Sequence, residues 1–137
     1  MNKIIVALLL GFALITPASA LDGERFTPER FAALQAGGEV VLVDIWATWC
    51  PTCKRQRQIL QSYRDANPDQ SFHILEVDFD DDKEWVRHFR APRQSTLLLY
   101  VGERQYWFSV AETRPEVIAA ELDKAIAARA KALADGS

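Results

Sequence analysis

Cysteine and histidine are scarce in this chain, two of each in 137 residues. A closed structural zinc site takes about four ligands, and neither His73 nor His88 lies near the cysteines in sequence, so no metal ligand is assigned. Basic charge is not in excess either. Sixteen Lys and Arg against nineteen Asp and Glu leave a formal net charge of −3, which excludes the electropositive footprint of a nucleic-acid binder. There is no internal repeat, no interdomain linker and no low-complexity block. The chain also lacks any long apolar run except near its start, where Ile4 to Ile15 is interrupted only by Gly11. That run is short for a membrane span, which needs about 20 residues.

With Lys3 before it and Pro17-Ala18-Ser19-Ala20 after it, the run has the three-part pattern of a secretory signal peptide. Cleavage is expected near Ala20, giving a signal peptide over 1–20 and one domain over 21–137, in the periplasm or another extracytoplasmic space. Left uncleaved, the same segment would act as an anchor. Residues 21–137 suffice for one domain with a core and are too few for two.

The two cysteines that are present sit three positions apart, in Trp46-Ala47-Thr48-Trp49-Cys50-Pro51-Thr52-Cys53-Lys54. A helix starting between them places Cys50 at its N-terminus, where free N–H groups and the helix dipole stabilise a thiolate. A thiolate attacks disulfides, and a second thiol one turn later resolves the mixed disulfide that forms. A purely stabilising bridge is the competing reading, but so small a loop gains little chain entropy. In an exported protein the redox state of the pair is set by a dedicated partner or by the local redox pool.

Around this motif the pattern predicts a mixed α/β order. Thr27-Pro28-Glu29 caps a short helix ending at Gly37-Gly38. Val40 to Trp46 reads as a strand covered on both faces. Pro51 opens a helix to about Ala66, stopped by Asn67-Pro68-Asp69. Phe72 to Asp78 is a second buried strand, Asp82 to Phe89 a short helix, and Thr96 to Val101 with Tyr106 to Val110 a hairpin. Thr113 and Glu116 have capping-box spacing for a last helix carrying Val117, Ile118, Leu122, Ala125 and Ile126 on one face. The order implies a mixed sheet with helices on both faces, its first two strands parallel. The cysteines fall at the carboxyl end of the first strand, where open α/β sheets place their sites.

From about Phe26 to Ile126 these residues resemble the thioredoxin superfamily, most strongly over Val41 to Lys54. The resemblance implies a thioredoxin-like fold, a central mixed β-sheet flanked by helices on both faces. Pro51-Thr52 is similar to the pair in extracytoplasmic thioredoxin-like reductases, including those serving cytochrome c maturation. By resemblance Cys50 is the nucleophile, Cys53 the resolving thiol and its disulfide partner, and Asp44 a buried carboxylate beneath Cys53 that assists its proton transfer. Trp49, Pro51, Thr52 and Ser95 fall on the substrate-docking surface, and Trp46 packs beneath Trp49. The family usually has a cis proline where this chain has Ser95. Ser95 is therefore expected either to hold a strained cis bond or to be trans with altered geometry, and Ser95→Pro to restore family-like docking.

The functional expectation is an exported thiol-disulfide oxidoreductase that reduces or exchanges protein disulfides. It acts as a monomer without a bound cofactor, supplied by a membrane electron-transfer partner and without nucleic acid. Two alternatives stand beside it: a disulfide donor, separable by reduction potential, and a metal-handling protein using the thiols as soft ligands. Asp78, Asp80, Asp81 and Asp82 lack calcium-loop spacing and read as a solvated turn. Strand alternation places Glu76 beside Asp44, and Lys54 is either a support for thiolate charge or a solvated helix residue.

Overall fold

The computed structural model describes residues 23–136; the expected signal segment and the cleavage position at Ala20 lie outside the described residues. Nine elements follow one another: β1 (Gly23–Arg25), α1 (Pro28–Ala36), β2 (Val40–Trp46), α2 (Pro51–Ala66), β3 (His73–Asp78), α3 (Lys83–His88), β4 (Thr96–Val101), β5 (Arg104–Val110) and α4 (Pro115–Asp135). One sheet of order β1-β3-β2-β4-β5 joins the strands. β1, β3 and β2 run parallel, while β4 is antiparallel to β2 and β5 to β4. This is the mixed sheet expected.

The near-continuous apolar run of β2 is explained by its place at the centre, where both faces are covered. Val40 and Leu42 pack with Ile59, Leu60, Ile118 and Leu122 under α2 and α4. Val41, Val43 and Ile45 pack with Leu34, Val86 and Phe89 under α1 and α3. Each fully buried aliphatic side chain contributes roughly 1.5–3 kcal/mol relative to exposure. Because strand side chains alternate, Asp44 takes the same side as Val40 and Leu42 and projects toward α2.

Local signals set most element ends. Thr27 caps α1 by accepting from the Arg30 N–H at 3.1 Å. Gly102, at φ 55°, turns the β4–β5 hairpin in a region glycine enters without cost. Two ends differ from expectation. The capping box of Thr113 and Glu116 does not form: α4 begins beyond an Arg114 cap that makes no side-chain bond. Glu112 instead accepts the backbone N–H groups of Thr113 and Arg114 at 3.0 and 2.9 Å, so the carboxylate upstream takes the Thr113 N–H that the Glu116 side chain would have accepted. β1, ahead of the first predicted element, is a strand through its ladder to β3. At the opposite margin β5 has, among the described residues, a neighbour on one side only, and Tyr106, Phe108 and Val110 along it are exposed.

Candidate active site

Cys50 is the N-cap of α2, and its Sγ accepts a hydrogen bond from the Cys53 N–H at 3.1 Å. Pro51 at the first helical position suits this start, since its missing N–H would have been unpaired. The sulfurs are joined as a disulfide across a Cα–Cα distance of 5.3 Å. Both cysteines are buried, Cys53 more deeply. Pro51 is exposed and Thr52 half-buried beside them. Trp49 stands out into solvent, 58% exposed, with its indole N–H donating to Asp80 Oδ2 at 2.7 Å. Asp80 belongs to a turn in which Asp78 Oδ1 accepts the N–H groups of Asp80 and Asp81. The acidic cluster thus shapes a turn and tethers Trp49.

Ser95 faces the pair from the entrance to β4. Its Oγ lies 3.1 Å from Cys50 Sγ and 3.2 Å from Cys53 Sγ. Among the described residues no peptide bond is cis, and Ser95 has φ 65°, which for a non-glycine residue costs roughly 1–2 kcal/mol. Backbone bonds hold it there. Its N–H donates to Ile45 O at 2.8 Å, and its carbonyl accepts from Ala111 N–H at 2.8 Å. The expectation that Ser95→Pro restores docking is therefore overturned, because proline fixes φ near −65° and has no N–H to give Ile45.

Asp44 is fully buried beneath α2. Its Oδ2 accepts from Arg57 Nε at 3.1 Å, while Oδ1 has no hydrogen-bond partner among the described residues. Arg57 also approaches Glu76 at 2.8 Å, a close ionic contact off the hydrogen-bond line, and lies 3.9 Å over the Trp46 ring. The ladder places Glu76 directly beside Asp44. Burial raises the Asp44 pKa, Arg57 pulls it back and Glu76 adds to the rise, leaving it at about 6. Asp44 makes no hydrogen bond to either sulfur. A cavity of about 560 Å³, lined by Trp46, Ala47, Cys53, Lys54 and Arg57 among others, opens on this flank of Cys53. Arg57, which bonds Asp44, lines this cavity, whereas Asp44 itself does not.

A family model described as thioredoxin matches residues 24–125. This chain belongs to the thioredoxin family. It carries, in Cys50 and Cys53, the close cysteine pair of a thiol-disulfide oxidoreductase. Among solved structures, Trxlp from Edwardsiella tarda EIB202 is 35% identical with a TM-score of 0.67, the match covering 72% of this chain and 96% of that one. The thiol:disulfide interchange protein DsbE of Haemophilus influenzae is 33% identical over 80 residues, which is 56% of this chain and 40% of DsbE. The bifunctional thioredoxin reductase/thioredoxin of Mycobacterium leprae is 32% identical over 72 residues, 53% of this chain; the chain spans 16% of that protein's length.

Within this thioredoxin framework two residues escaped the sequence reading. Gln56 is fully buried, one helical turn beyond Cys53, and its Nε2 donates to Ser95 O at 3.2 Å and Glu112 O at 3.0 Å. Its i, i+3 spacing from Cys53 was the only available signal. Arg57 had none, since its partners Asp44 and Glu76 lie on two strands distant in sequence. The histidines are not part of the site: His73 lies 3.7 Å from Glu39, and His88 packs edge-on against Trp85 and Phe89. Among the described residues no three His, Cys, Asp or Glu converge as a metal site.

Proposed function

We propose that this chain is an exported thiol-disulfide oxidoreductase that reduces or exchanges disulfides in extracytoplasmic proteins, with Cys50 as the attacking sulfur. The observation that carries this reading is the position of Cys50 Sγ as the cap of α2, accepting the Cys53 N–H. A charge on that sulfur gains from the N–H and from the dipole together. In the forward step the Cys50 thiolate bonds to one substrate sulfur, the substrate S–S bond breaks, and the departing thiolate takes a proton from solvent. Cys53 then loses its proton toward Asp44 and bonds to Cys50 Sγ, and the second substrate thiolate leaves. Two electrons pass from the dithiol to the substrate disulfide, with no bound cofactor.

Trp49, Pro51, Thr52 and the Ser95 segment form the docking surface in this reading, with Trp49 held outward by Asp80. The pattern of residues 1–20 supports cleavage near Ala20 and a periplasmic site, where a membrane electron-transfer partner would re-reduce the pair. The protein acts as a monomer. A disulfide donor is the second reading, favoured by the donors gathered on Cys50, because thiolate stabilisation makes the pair more oxidising.

Two experiments test these readings. Cys53→Ser should accumulate a mixed disulfide with substrate and Cys50→Ser should lose turnover; a fully active Cys50→Ser protein would sink the mechanism. Equilibration with glutathione sets the direction, a potential near −270 mV marking a reductase and one near −120 mV a donor.

A further inference from the structure

Ser95 meets two sulfurs at once. Its hydroxyl is fully buried and lies within 3.1 Å of Cys50 Sγ and 3.2 Å of Cys53 Sγ. Its main chain is fixed from three elements, by Ile45 O on β2, by Ala111 N–H beyond β5 and by Gln56 Nε2 on α2. Gln56 in turn holds Glu112 O. A left-handed conformation unfavourable to serine is thus maintained by three hydrogen bonds to its main chain, and it aims the hydroxyl at the reacting atoms. Strain held in this way at a reacting centre points to a use.

We propose that the Ser95 hydroxyl is a catalytic hydrogen-bond relay between the two sulfurs, donating to the Cys50 thiolate while accepting from the Cys53 thiol. A hydroxyl has one hydrogen to give and two lone pairs to receive. Facing two sulfurs, it bonds both most strongly when one is an anion and the other a thiol. That monoanion is the state that attacks a substrate disulfide. In the disulfide neither sulfur is charged and both are weak acceptors, so the hydroxyl favours the reduced monoanion over the oxidised pair. It therefore separates the two thiol titrations, Cys50 downward and Cys53 upward, and raises the potential. When Cys50 Sγ bonds to the substrate sulfur its charge leaves with the departing thiolate. The Ser95 hydrogen then turns to Cys53 as that thiol gives up its proton, steadying the second attacking thiolate.

The inference rests on the exchange reading above, and its test separates the two. The variants are Ser95→Ala, which keeps the Cβ, and Ser95→Gly, which suits φ 65° and also lacks the hydroxyl. Charged side chains on the elements around the pair include Asp44 on β2, Lys54, Arg55 and Arg57 on α2, Glu76 on β3, Asp80 beyond β3, Arg93 before β4 and Glu112 beyond β5. All are unchanged in both variants, so the difference from the native protein reports Ser95. Thiolate absorbance near 240 nm follows the titration of the reduced protein, and equilibration with glutathione gives the redox constant.

The expected result for both variants is a Cys50 midpoint higher by about one pH unit. The redox equilibrium should shift about tenfold toward the protein disulfide, a fall of about 30 mV. Should Ser95→Ala fail to fold, Ser95→Gly carries the same expectation. Constants within threefold of native in the folded variants would overturn the relay and leave exchange intact. A native Cys50 titrating at the ordinary thiol value of about 8.5 would overturn it without any variant. Native protein inert toward glutathione would remove the exchange reading and this inference with it.

Discussion

A carboxyl group under a helix, with a second acid beside it on the next strand, is easier to keep neutral than charged, and Asp44 is such a group. Its pKa rises from 3.8 to about 6 through burial, with Arg57 offsetting part of the rise. The difference corresponds to roughly 3 kcal/mol. Below about pH 4 Asp44 is protonated in folded and unfolded chains alike, and that stability is fully present. It is lost as pH rises through about 6, where the folded protein must carry the charge. Asp44→Asn should thus be the more stable protein at pH 8 by roughly 2–3 kcal/mol, with no difference below pH 4, as urea denaturation at the two pH values will measure. The same variant should resolve mixed disulfides roughly 10²-fold more slowly. Native resolution should accelerate with pH around 6, read from release of the second substrate thiol in single-turnover mixing. The cysteines and Asp44 were legible in sequence because one short segment holds them all. Arg57 and Gln56 were not, since their roles depend on how α2 is rotated over β2. Ser95 was legible only as a departure; its hydroxyl between two sulfurs follows from a backbone conformation that no local pattern encodes.

Elements with a sequence pattern or turn signal of their own were legible; β1, made by distant pairing alone, was not. α1 carried its cap and N1 proline, and the hairpin its glycine turn. β1 has three residues without an apolar pattern and exists because β3 accepts it as a parallel neighbour. This small edge strand reaches the site indirectly. A Cβ on Gly23 would overlap the Glu76 carboxylate, whose flexible end would have to shift. Gly23→Ala should accordingly move the Asp44 midpoint away from about 6, since it displaces the Glu76 charge that contributes to it. An NMR titration of the Asp44 carboxyl will show it. A midpoint unmoved by the substitution would mean that Glu76 does not influence Asp44.

For the whole molecule, folding and thiol oxidation are linked in one cycle. Each 30 mV by which the folded pair's potential lies below that of the unfolded chain corresponds to about 1.4 kcal/mol of added stability in the oxidised protein. The reductase reading thus expects the oxidised protein to melt several degrees above the reduced one, and a donor expects the reverse; calorimetry with and without reductant compares them. The overall layering was legible in sequence because the alternation of buried strands and amphipathic helices admits few arrangements. The outer margin was less so, as nothing in Tyr106-Trp107-Phe108 says that only Trp107 packs against the helix-covered core. That margin has a consequence for handling. Among the described residues β5 is the last strand of the sheet, and three exposed apolar side chains lie along it. To another chain it is an unfinished template, the kind of edge that invites strand addition. As concentration rises, self-templated growth from β5 is the route by which this protein would leave solution.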